Sequence, residues 1–117
     1  MVRRAYARYV DIQQACLAIE RYAVESDIDE GMKFDAIRMR LVEIGEAVKG
    51  LSKAERDATP EIPWNMISGM RDHLAHRYWD TAQPIVMNAA TREIPVLLVA
   101  VTDVINRAHQ EESDQYQ

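Results

Sequence analysis

An all-α fold, an antiparallel bundle of four to five helices, is what the sequence predicts, on three observations. Apolar residues recur at steps of three and four along nearly the whole chain, the period of one helix face. No stretch carries a convincing strand pattern. Glycines, prolines and acidic clusters cut the chain into pieces of helix length, and short connections between such pieces favour antiparallel neighbours.

The first helix carries Tyr9, Ile12, Cys16, Ile19 and Ala23 on one stripe, and "ESDIDEGM" interrupts it with acidic residues and Gly31. The second is the most regular: Phe34, Ile37, Leu41, Ile44, Val48 and Leu51 form a seam suited to a neighbour at a shallow angle. Gly50 ends it, and "SKAE" at 52–55 has the form of a capping box opening a short helical turn. "TPEIPW" is the principal break, with Pro63 placed for the first turn of a third helix over about 64–79. "DTAQP" at 80–84 reads as a turn, a fourth helix follows to about 93, and Pro95 marks a kink or a restart. The last helix holds Leu97, Leu98, Val101, Val104, Ile105 and Ala108.

With 117 residues and no Gly/Ser linker, repeat or low-complexity segment, the chain is expected to be one domain over 1–112 with a disordered acidic tail at 113–117. A chain of this size buries roughly two-thirds of its unfolded surface and needs no disulfide or structural metal. Its single cysteine, Cys16, excludes an intrachain disulfide, and its place on an apolar stripe makes it a small core residue rather than a nucleophile. The charged N-terminus is no signal peptide, and the longest apolar run, "IPVLLVAV" at 94–101, falls short of a membrane span. The expectation is a soluble cytoplasmic protein with no membrane association. A formal net charge of -5 argues against a general nucleic-acid coat but leaves room for a small local basic site. Arg3, Arg4 and Arg8 could form a basic patch, although an exposed solvated face explains them more simply.

One segment of the third helix stands apart. "RDHLAHRYWD" at 71–80 concentrates two arginines, two histidines, two aromatics and two aspartates. A zinc site fits poorly, because His73 and His76 are three apart rather than four and His109 stands alone near the C-terminus. No metal and no cofactor is expected. Metal-free phosphodiester cleavage fits better. Attack by a ribose 2′-hydroxyl needs proton transfer, which histidine with its pKa of about 6.5 supplies near neutrality. It also needs a cation on the pentavalent phosphate, and the arginine fork matches phosphate oxygens. Arg71, His76 and Tyr78 would provide a cation, an acid/base and a hydroxyl.

On an ideal helix, at about 100° per residue, Arg71 and Tyr78 share a face while His76 is turned about 140° away and about 7.5 Å along the axis. A two-fold interface across this helix would bring a second arginine and histidine nearby. Gly69 would let another backbone approach, or is simply a tolerated helix defect. By spacing alone a plain polar helix end is favoured, with Asp72 and His76, and His76 and Asp80, pairing four apart on a solvated face.

The chain from about 8 to 106 resembles the HepT-like branch of the HEPN superfamily, small helical toxins encoded with minimal nucleotidyltransferase antitoxins. The resemblance is carried by "IGEAVKGLS" at 44–52, "IPWNMISGMRDHLAHRYWD" at 62–80 and the later "IPVLL". The family signature Arg-x4-His-x-Tyr is met by Arg71, His76 and Tyr78, with Asp72 after the arginine where the family has Asn or Asp. His73 falls at a variable position and takes no role. The resemblance implies a homodimeric, metal-independent endoribonuclease with its cleft at the dimer interface. Arg71 and His76 would be catalytic and Asp72 a polar support. The nucleotidyltransferase antitoxin would modify Tyr78 with AMP and could join a larger hetero-oligomer. The alternative is a non-catalytic helical partner that docks a nucleotidyltransferase or binds nucleotide.

Overall fold

The structure, a computed structural model, describes residues 1–74 and 79–115, with side chains at 71–73, 79–82 and 115 excepted. Among the described residues every regular element is helical: α1 (Arg3–Val24), α2 (Glu30–Lys49), α3 (Lys53–Asp57), α4 (Trp64–Leu74), α5 (Trp79–Asn88) and α6 (Ile94–Gln115), with a π-helical turn over Ala89–Glu93. The all-α expectation holds, with five helices of ten residues or more and the one-turn α3.

The three-four spacing becomes a shared core. Tyr9, Ile12, Cys16 and Ile19 of α1 are buried with Phe34, Ile37, Leu41, Ile44 and Val48 of α2 and with Ile94, Leu97, Val101, Val104 and Ile105 of α6. α1 packs chiefly on α2 and α6. Gln13 donates to Thr102 Oγ1 at 3.2 Å, and the Tyr6 hydroxyl meets His109 Nε2 at 2.7 Å, so α1 and α6 are also tied by polar contacts. Cys16 is fully buried, and desolvation, with Glu20 nearby, pushes its thiol up to about 12, as a core cysteine requires.

Two local expectations change, at Gly31 and at 80–84. Gly31 does not break the chain; it sits in the first turn of α2, where Asp29 Oδ2 caps Gly31 N–H at 2.9 Å and Met32 N–H at 3.2 Å. A Cβ on Gly31 would stand 2.9 Å from that carboxylate oxygen, so the glycine makes room for the cap. Gly50 ends α2 as expected; its backbone is right-handed, and a Cβ there would meet Arg8 Cδ at 2.7 Å, so it yields space to that side chain.

"DTAQP" is helix rather than turn: α5 starts at Trp79 and contains Pro84. Pro84 is exposed, and the packing of buried Val86, Ala89 and Ala90 offsets its missing backbone donor. Pro95 lies at a restart, as expected, because α6 begins at Ile94. The π-turn precedes it, and Ile94 N–H reaches back five residues to the Ala89 carbonyl. The wider turn gives the proline ring space that an α-turn denies, and the rod continues into α6. Gln83–Asp114 thereby contains an 18-residue window of mean hydropathy 1.5, enough to cross a membrane by length and composition, but here its inner face is part of the core.

Candidate functional site on the fourth helix

α4 is fixed at both ends. At its start, Pro63 supplies the first accepting carbonyl, to Met66 N–H at 3.0 Å and Ile67 N–H at 3.2 Å. The Trp64 indole donates to the carbonyls of Arg56 at 3.0 Å and Thr59 at 3.1 Å. Thr59 is buried, and its hydroxyl meets Tyr9 Oη at 3.0 Å, which links this corner to α1. α3 reaches the corner through the expected capping box: Ser52 Oγ accepts from Glu55 N–H at 3.0 Å, and Glu55 Oε1 accepts from Ser52 N–H at 2.9 Å. Between the ends Ile67 and Met70 seat α4 in the core, each contributing roughly 1.5–3 kcal/mol of apolar burial.

At the other end Arg38 of α2 donates from Nη2 to the Leu74 carbonyl at 2.9 Å, with its guanidinium 6.0 Å from the Phe34 ring centroid. The turn held in this way carries Arg71 and Asp72. Their backbone lies within α4, while their side chains, and the residues 75–78 that include His76 and Tyr78, lie outside what the structure describes. Gly69, one residue before the buried Met70, has open space where a Cβ would stand, with no described atom within 4 Å.

Other basic groups are already engaged. Arg4 pairs with Glu55 and bonds the Gly50 carbonyl, and Arg8 pairs with Asp11 at 3.5 Å. Arg4 and Arg8 are therefore paired, and Arg3 is exposed. The groove between α1 and α2 holds Arg8, Arg21 and Arg40, yet Arg40 is committed to Glu43 at 2.5 Å. Among the described residues no three His, Cys, Asp or Glu side chains gather to hold a metal ion. His109, alone in sequence, has Tyr6 as its partner.

Sequence reasoning missed Arg38 and the Tyr9–Thr59–Trp64 corner. Arg38 stands one step off the Phe34–Ile37–Leu41 seam, four residues after Phe34, and only that flanking position hints at a half-buried cation.

Comparison with known proteins adds what this geometry leaves open. The "Ribonuclease HepT-like" family matches residues 12–104. The chain is 32% identical over 107 residues to a "Putative RNase" of Caldanaerobacter subterraneus, covering 89% of this chain and 95% of that protein. It is 32% identical over 102 residues to the "Probable ribonuclease HepT" of Thermococcus cleftensis, covering 82% and 92%. A "Putative RNase" of Methanocaldococcus jannaschii is 35% identical over 81 residues, covering 66% and 70%. No solved structure matches significantly. The class these matches define is RNA-cleaving enzymes of helical fold. The chain belongs to the HepT-like ribonuclease family.

Proposed function

We propose that this protein is a metal-independent endoribonuclease, the toxin of a toxin–antitoxin pair, acting in the cytoplasm as a homodimer of antiparallel helical bundles. The observation that carries the reading is the family match over 12–104, because it includes the whole Arg-x4-His-x-Tyr signature at Arg71, His76 and Tyr78. In the proposed reaction His76 takes the proton from a ribose 2′-hydroxyl as that oxygen attacks the adjacent phosphorus. The phosphorus–5′-oxygen bond breaks, and the leaving oxygen takes up a proton, so the products are a 2′,3′-cyclic phosphate and a 5′-hydroxyl. Arg71 bears the charge that builds on the non-bridging oxygens, the transition-state role in which a fixed cation is most effective. Asp72 supports these groups.

The proposed partner is a minimal nucleotidyltransferase antitoxin that transfers AMP to the Tyr78 hydroxyl. The adduct adds bulk and negative charge beside Arg71 and so repels the substrate phosphate.

The test is cleavage of a single-stranded oligoribonucleotide by purified protein, with and without chelator. Arg71→Ala and His76→Ala are each expected to lower the rate by a factor of about a hundred or more, with helical content unchanged. Loss of activity in chelator with recovery on adding a divalent metal would overturn the mechanism, and full activity in both variants would move the site elsewhere.

A further inference from the structure

We propose that Arg38 is a positioning residue for the cleavage reaction, an inference that rests on the function proposed above. Its guanidinium donates to the Leu74 carbonyl at 2.9 Å, across 36 residues of sequence, and closes the turn of α4 that carries Arg71. A backbone carbonyl oxygen carries partial negative charge, and a permanent cation is well suited to hold it. The Arg38 side chain runs back along α2 over Phe34, whose ring lies 6.0 Å from the guanidinium carbon. Phe34 itself is buried, so the cation is oriented by a rigid base. Among the described residues no carboxylate pairs with Arg38, unlike Arg4, Arg8, Arg40 and Arg107. Among the described residues its partners are the α4 backbone and the aromatic face.

The consequence is geometric. Arg71 can stabilise a phosphate only from a fixed place, and α4 is fixed by Trp64 at one end and Arg38 at the other. Misplacement by about 1 Å costs a catalytic array up to about a hundredfold without touching the substrate. Arg38 acts through the carbonyl of Leu74, so its loss should lower kcat and leave KM nearly unaltered. A direct phosphate contact would do the reverse, raising KM and flattening its dependence on salt.

The experiment compares wild type, Arg38→Ala and Arg38→Lys in steady-state cleavage of a short oligoribonucleotide, together with amide hydrogen exchange over 64–74. Expected for Arg38→Ala is a fall in kcat of about tenfold or more, KM within about twofold, and faster exchange at the end of α4. Arg38→Lys, which keeps a donor and a charge but not the flat guanidinium, should recover part of kcat. In a wild type that cleaves RNA, an unchanged kcat in Arg38→Ala removes the role of Arg38 alone, and so does a rise in KM at constant kcat. A wild type that cleaves no RNA removes the proposed reaction, and faster exchange in Arg38→Ala would then mark Arg38 as a structural clamp only.

Discussion

Glu55 serves two partners with one carboxylate: Oε1 accepts from the Ser52 backbone at 2.9 Å and also pairs with Arg4. The backbone bond from Ser52, and then Arg4, hold its carboxyl below the usual glutamate range. A carboxylate depressed in this way contributes stability that is fully present above its unfolded-state pKa and lost as pH falls through the folded one. Glu55→Gln is therefore expected to lower thermal stability at neutral pH and to flatten the acid limb, so that the variant and wild type converge as pH falls below about 4, measured by melts from neutral pH into acid. Ser52→Ala removes the other half of the box and should cost about 1 kcal/mol at any pH in denaturant unfolding. This pair was legible in four letters of sequence because every partner but Arg4 lies within three residues. Arg38 was not, because its acceptor is a backbone carbonyl in another helix and a carbonyl leaves no trace in composition.

Among the elements, the rod from α5 through the π-turn to α6 differs most from its sequence reading. Asp, Thr, Gln and Pro at 80–84 carry turn chemistry, but local preference is weak beside a continuous buried stripe through Val86, Ala90, Ile94, Leu97 and Val101. The π-turn absorbs one residue ahead of Pro95 and keeps Ile94 and Leu97 in phase with Val86. Pro84 is exposed inside α5 and contributes no core contact of its own, so Pro84→Ala restores a helix donor at a site without crowding. The expected gain is about 1–3 kcal/mol, read as a higher unfolding midpoint at unchanged denaturant slope. A loss of stability would mean that the proline holds the start of α5 in place.

At the scale of the whole molecule the proposed chemistry calls for two chains. Arg71 and His76, five residues apart, diverge by about 140° on an ideal helix, and a composite of two copies relieves that divergence. Gly69 leaves open space beside the same turn. Sedimentation at micromolar concentration is expected to give twice the 13.4 kDa chain mass, and intact mass after co-expression with a nucleotidyltransferase should show AMP on Tyr78, absent in Tyr78→Phe. A monomer that cleaves RNA at full rate would remove the need for a shared site. The sequence conveyed the helices and the signature string, both one-dimensional patterns. The Arg38 clamp on α4 joins residues 36 apart in the chain, and no periodicity encodes it.

The contact between Tyr6 and His109 spans 103 residues, and Gln13 and Thr102 meet in the same way about two turns further along the pairing. During synthesis α2 can cover one side of α1 early, but the side meant for α6 stays uncovered until α6 leaves the ribosome. The core can therefore close only when α6 is available, over a long loop whose entropy grows only slowly with length yet must be met before any contact rewards it. Joining residues 1 and 115 by a short linker and opening the chain within 25–29 would make α6 and α1 sequence neighbours, turning the slowest contact into a local one.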